Sequence, residues 1–131
     1  MMRPSNSNHK PDKKRRKSAQ FRGRIAEELA AFLLRAKLFS ILKKRFKTPV
    51  GEIDLIAKRA NLIIFVEVKA RNSKQALPEA LAAVNRHRIA RAAKYFLASN
   101  PQMADKNLRF DVIFLAPFAL PVHLKGAFEA D

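Results

Sequence analysis

With 131 residues, 48% of them hydrophobic, the chain has room for one domain and one core, which excludes a multidomain assembly. Its 27 Lys and Arg against 11 Asp and Glu give a formal charge of +16, a field that seeks polyanions. The absence of Cys removes disulfides, thiolate zinc sites and thiol nucleophiles together, and no uninterrupted apolar run is long enough for a membrane span. The chain therefore reads as soluble and cytoplasmic, with no membrane partner.

Residues 1–17 carry seven Lys and Arg against one acid, Asp12, interspersed with Pro, Ser and Asn. Too little apolar surface is present there to offset the entropy of ordering, so the segment reads as a disordered basic tail, with residues 18–131 as the folded domain. Lys13, Lys14, Arg15 and Arg16 are then candidates for gripping phosphates. From Ser18, a candidate N-cap, the residues Phe21, Ile25, Leu29, Phe32, Leu33 and Ala36 recur at three- and four-residue steps, predicting a helix over residues 19–37 with these side chains inward. Residues 38–47 mix apolar and basic side chains as an edge strand does. Residues 52–58 alternate as a half-buried strand, with Glu52, Asp54 and Ile56 on one face and Ile53, Leu55 and Ala57 on the other. Residues 62–71, denser in β-branched and aromatic side chains, read as a central strand. Pro78 opens a second helix running to residue 99, with Ala82, Ile89, Ala93 and Phe96 inward and His87, Arg91 and Lys94 on a cationic outer face. After the Asn100-Pro101 break, residues 108–116 form another strand and residues 121–125 a short last one. The order is helix, three strands, helix, strand: an α/β domain with a mixed sheet of four or five strands.

Only Ala60 and Asn61 separate the second strand from the third, so the two form an antiparallel hairpin. If pairing is symmetric about that turn, opposite residue numbers sum to 121, which places Asp54 across from Glu67 and Glu52 across from Lys69. Two carboxylates facing one another beside aliphatic and aromatic residues repel unless a cation sits between them. Hard oxygen donors favour Mg²⁺ or Mn²⁺, and such a site suits phosphodiester hydrolysis, with Lys69 placed to steer or deprotonate the attacking water. Solvated acids on a polar face, with Lys69 merely paired to one of them, are the alternative. The scattered His9, His87 and His123 have no metal-ligand spacing, and no Gly-rich phosphate loop is present.

Glu52-Ile-Asp54 and, after a gap of twelve residues, Glu67-Val-Lys69 resemble the PD-(D/E)xK nuclease signature. The longer strings Gly51-Glu-Ile-Asp-Leu-Ile-Ala57 and Phe65-Val-Glu-Val-Lys-Ala-Arg71 resemble the bacterial YraN-type family, a branch of that superfamily similar to archaeal Holliday junction resolvases. Gly23 with Ala26-Glu27, and Arg109-Phe-Asp111-Val-Ile113, extend the match over residues 21–115. The resemblance implies a restriction-endonuclease-like core, Asp54, Glu67, the Val68 carbonyl and Glu27 as metal ligands, and Lys69 as the catalytic lysine. On the helix, Glu28 has Arg24 at i−4, whereas Glu27 has small neighbours that leave it room to reach a strand. Asn85-Arg86 stands where related sequences carry Lys-Gln, so Arg86 is the residue left to supply that charge.

These readings converge on a divalent-metal-dependent nuclease acting on nucleic acid, DNA in the first instance and branched or single-stranded DNA within that class. Arg71, Arg86, His87, Arg91 and Lys94 join the tail as backbone contacts. Paired cutting by a resolvase implies a homodimer, although no interface is legible in the sequence. A non-catalytic nucleic-acid-binding accessory module on the same scaffold is the rival.

Overall fold

The computed structural model describes residues 13–129, and their side chains from Gly23 onward. In chain order the elements are α1 (Lys13–Ala36), β1 (Ser40–Thr48), β2 (Gly51–Arg59), β3 (Leu62–Ala70), α2 (Leu77–Ala82), α3 (Arg86–Ser99), β4 (Asn107–Leu115) and β5 (Val122–Phe128). The strands form one sheet in the order β1-β2-β3-β4-β5. Every neighbouring pair is antiparallel except β3 and β4, which run parallel because α2 and α3 carry the chain back between them. The result is a mixed α/β fold whose five-stranded sheet has α1 on one face and α3 on the other.

Helix α1 starts at Lys13, so Ser18 lies inside it and not at an N-cap, and Lys13, Lys14, Arg15, Arg16 and Lys17 share its backbone. Residues 1–12, the rest of the basic tail, lie outside the described residues. The inward face of α1 also differs from the expected one. Ala26, Ala30, Ala31 and Leu34 are buried, whereas Ile25, Leu29 and Phe32 are 44%, 53% and 70% exposed. Small side chains let the helix lie close over Leu55, Ala57, Ile64 and Val66, and that close approach turns the bulky residues outward.

The second expected helix is two. Residues 83–85 separate α2 from α3, and the Asn85 side chain accepts the Arg88 amide at 3.2 Å, capping α3. Ile89, Ala93 and Phe96 are buried as expected, but Ala82 is exposed and Ala80 takes the inward place on α2. Ile89, Ala92, Ala93 and Phe96 close the second core with Ile53, Ile56, Ile63, Phe65, Phe110 and Phe128. Gly51 is pressed against α3 so closely that a Cβ there would overlap the Arg88 carbonyl oxygen.

The C-terminal end of α1 meets the sheet through a buried polar cluster. Asp111 on β4 has no exposed surface and accepts Arg109 Nε at 2.8 Å, Arg109 Nη2 at 2.9 Å and the Gly126 amide at 3.0 Å. His123 Nε2 lies 2.8 Å from Asp111 Oδ2, the oxygen that also accepts Arg109 Nη2, and Lys37 Nζ lies 2.8 Å from His123 Nδ1. Burial opposes the Asp111 charge, but bonds from His123, Arg109 and Gly126 overcome it and hold the carboxyl down at about 2.

Two stability predictions follow from these contacts. Gly51→Ala displaces α3 from the β1–β2 turn and lowers unfolding free energy by roughly 1–3 kcal/mol, read by urea denaturation. Because the Asp111 pKa is depressed on folding, its contribution is complete above the unfolded value of 3.8 and is lost as pH falls toward 2. That contribution is about 2 kcal/mol, so thermal unfolding between pH 4 and pH 2 steepens through it, and Asp111→Asn flattens that limb.

Candidate active site

The expected hairpin register is present over its turn-proximal half: Arg59 pairs with Leu62, Lys58 with Ile63, Ala57 with Ile64, Ile56 with Phe65 and Leu55 with Val66. There the backbone ladder ends. The Val68 amide, two residues further along β3, is taken by a side chain, Asp54 Oδ2, at 2.8 Å. A carboxylate thus substitutes for strand backbone at the point where β2 and β3 part.

Beside this point β1 and β2 both turn over. Lys44 pairs with Leu55 and Phe46 with Ile53, yet Leu55 belongs to the core under α1 while Ile53 and Phe46 belong to the core under α3. In an unbroken strand, residues two apart share a face. The intervening residue of β1, Arg45, holds φ at +51°, a left-handed conformation costly for a long side chain. The expected grouping of Ile53 with Leu55 therefore fails at Asp54, and the reversal lets Asp54 line a cleft with Gly23 and Glu27 of α1.

The Glu67 carboxyl stands close enough to Asp54 to act on its charge, and Lys69 Nζ lies 3.5 Å from Glu67 Oε2, the Glu67 and Lys69 side chains each 17% exposed. Burial and the Glu67 carboxyl together push the Asp54 carboxyl up to about 8, against the opposing pull of the Val68 amide and Lys69. Asp54 thus keeps its proton far above the usual carboxylate range, beside a second set of carboxylate oxygens.

Two adjoining hollows meet at Asp54. One, of about 320 Å³, is lined by Arg24, Glu27, Arg45, Lys47 and Glu52; the other, of about 710 Å³, runs past Val68, Arg71 and Asn72 to the loop before β5. Glu27 reaches the first hollow but gives its carboxylate to Arg45 Nε at 2.7 Å. Glu28 takes Lys44 at 2.8 Å instead of the Arg24 suggested by helical spacing. Glu52 does not meet Lys69, since the strands have parted; its cation is Arg88 of α3, at 3.9 Å.

Among the expected backbone-binding residues, Arg86, His87, Arg91 and Lys94 stand exposed on the outer face of α3. Arg86 also covers the Phe128 ring at 5.7 Å, and Arg91 donates to the Val50 carbonyl at 3.1 Å. Arg71 lines the larger hollow while held by Glu79 at 2.9 and 3.2 Å. For Lys13, Lys14, Arg15 and Arg16 the backbone alone is described. Sequence reasoning missed Arg24, Arg45 and Lys47 at the cleft; the run Lys43-Lys-Arg-Phe-Lys47, strongly basic for an edge strand, was the available signal.

Residues 26–115 match the family described as Uncharacterised protein family UPF0102. The chain belongs to UPF0102. A UPF0102 protein of Paramagnetospirillum magneticum is 42% identical over 128 residues, 95% of this chain and 99% of that relative. Others from Bartonella tribocorum and Bradyrhizobium sp. strain ORS 278 are 45% and 50% identical, over 91% and 86% of this chain and 92% and 80% of their own lengths. The family-level resemblance drawn from the two strand strings is thereby borne out. The UPF0102 match takes in Glu27, Asp54, Glu67, Lys69 and Asp111 and stops at the end of β4.

The raised Asp54 pKa has a stability consequence of fixed sign. Between the unfolded value of 3.8 and about 8 the folded protein keeps a proton that the unfolded chain releases, so stability falls as pH rises through that window. An Asn at this position keeps an acceptor for the Val68 amide and a donor for Glu67 without the charge. Asp54→Asn therefore raises the Tm of the metal-free protein at pH 8 by about 4 °C or more, and leaves it nearly unchanged at pH 4, as differential scanning calorimetry would read.

Proposed function

We propose that this UPF0102 protein is a divalent-metal-dependent nuclease with a restriction-endonuclease-like core of the PD-(D/E)xK superfamily. The observation that carries the reading is the Asp54–Glu67 carboxyl pair, with Lys69 alongside, set where the β2–β3 ladder opens into a cleft. Two half-buried carboxyls set side by side are a donor set that a hard cation fits, since Mg²⁺ and Mn²⁺ take few protein carboxylates and complete their shells with water and phosphate oxygen. Asp54, Glu67 and the Val68 carbonyl would hold the ion. Bound there, it supplies Lewis-acid neutralisation of the charge that builds on phosphorus during hydrolysis.

The chain's own side chains account for the remaining work. Lys69, tethered to Glu67, presents an ammonium beside the acids and can orient a water and stabilise charge on the phosphodiester. Arg24, Arg45 and Lys47 around the smaller hollow offer donors to the backbone phosphates. The exposed cations of α3 and the overall charge of +16 supply salt-dependent attraction for the polymer, with DNA as the favoured substrate. Glu27 joins the acids only when Arg45 releases it, which a phosphate taking the guanidinium would bring about.

A second reading is favoured by that same Arg45–Glu27 pair, which keeps the third acid away from Asp54: a module that binds nucleic acid without cutting it. The two readings separate in one panel of linear, flapped, nicked and four-way DNA and matching RNA, each with Mg²⁺, Mn²⁺ or EDTA. The nuclease cuts at least one substrate with metal and none with EDTA. Asp54→Asn and Lys69→Ala each lower the rate by about 100-fold or more while leaving binding affinity within about threefold. Tight, salt-sensitive binding with no metal-dependent cleavage of any substrate selects the second reading.

A further inference from the structure

The Asp111, His123 and Lys37 side chains form a line of three groups that the proposed nuclease chemistry does not use. Asp111 is wholly buried and the His123 side chain is 3% exposed, whereas Lys37 reaches the surface at the last turn of the sheet-facing helix. Asp111 already accepts three N–H bonds from Arg109 and Gly126, and its carboxylate charge favours a donor in the fourth position. His123 Nε2 fills that position as N–H, which leaves the lone pair of Nδ1 facing Lys37 Nζ at 2.8 Å. A buried carboxylate orienting an imidazole, whose far nitrogen accepts a proton from a surface nucleophile, is the arrangement that activates nucleophiles in general.

The surroundings act in the same direction. Burial, Lys125, Arg59 and Arg109 all favour the neutral amine of Lys37, against the pull of Asp111 toward the ammonium. Arg59 is fixed there by its bond to the Lys37 carbonyl at 2.9 Å and by the Phe39 ring 4.3 Å beneath it. Arg59 and Lys125 thus add positive charge to the surroundings of the amine, which favours the approach of an anionic acyl donor.

We propose that Lys37 is a reactive amine, a site of covalent acylation by small acyl phosphates, with His123 as its general base and Asp111 as the residue that positions His123. Lys37 Nζ passes its extra proton through His123 Nδ1 to water, and its lone pair then attacks the acyl carbon. A C–N bond forms, the bond from that carbon to the phosphate oxygen breaks, and phosphate departs with the electron pair. The second proton leaves the nitrogen by way of His123, yielding a neutral amide. Acylation removes one cation from a crowded group and with it one contact for an anionic polymer. The inference stands independently of the nuclease reading.

Acetyl phosphate is the probe, applied to the full chain at pH 7, with acetylation at each lysine followed by peptide mass spectrometry. General-base assistance of this kind is typically worth ~100-fold, so Lys37 is expected to react about tenfold or more faster than the exposed Lys74 and Lys94. His123→Gln preserves a donor for Asp111 and an acceptor for Lys37 but removes the base, and should bring Lys37 to the rate of Lys74. Equal or slower labelling of Lys37 in the unmodified protein overturns the proposal, as does fast labelling that persists in a folded His123→Gln variant. Should that variant fail to fold, the pH profile of the unmodified protein decides. Lys37 acetylation must level off at lower pH than Lys74 acetylation, and parallel rise of the two overturns the proposal.

Discussion

Two carboxyl groups set side by side at the edge of a core are the constraint around which this end of the molecule is organised. An isolated pair of that kind repels when ionised, and burial worsens the repulsion. The fold tolerates it because the Val68 amide satisfies Asp54 and Lys69 stands beside Glu67, and because Asp54 keeps its proton up to about 8. Glu67, Val68 and Lys69 are three consecutive residues of β3.

The left-handed residue on β1 belongs to the same arrangement. Were β1 and β2 regular, Asp54 would share a face with Ile56 and point toward the core under α3. The turnover at Arg45 and Asp54 carries the acid round to the α1 side, where Glu27 and the cationic wall of the cleft are. The strain of the left-handed Arg45 is offset by its bond to Glu27 at 2.7 Å.

The sequence made the hairpin legible because alternation and a two-residue connection are local signals, and from these the meeting of residues 54, 67 and 69 could be derived. Other features depended on information that local patterning does not carry. Which face of α1 turns inward was decided by how closely the helix approaches the sheet, so size misled where hydrophobicity alone was weighed: Ala26, Ala30 and Leu34 go in, Leu29 and Phe32 stay out. The break between α2 and α3 had a readable mark in Asn85, a good N-cap in mid-helix, that the apolar periodicity around it outweighed. The reversal at Arg45 had none, since nothing in Lys-Lys-Arg-Phe-Lys marks a left-handed residue. Arg109 and Asp111, two apart on a strand and opposite in charge, were noticed only as part of a family string, although this spacing puts both on one face and allows the bidentate bond found there.

The kink in β1 also bears on how the protein behaves among its own copies. β1 and β5 are the two margins of an open sheet, and a straight margin offers a row of free amides and carbonyls to any neighbouring chain. On β1 that row is interrupted by the pairing irregularity between Ile41 and Lys43 and again by Arg45, amid four cations that repel an identical strand. The β5 margin carries its own shift opposite Asp111 and a left-handed Gly126. The distortion that aims an acid into the cleft therefore doubles as protection against sheet-to-sheet aggregation, and straightening it would expose the protein to that hazard.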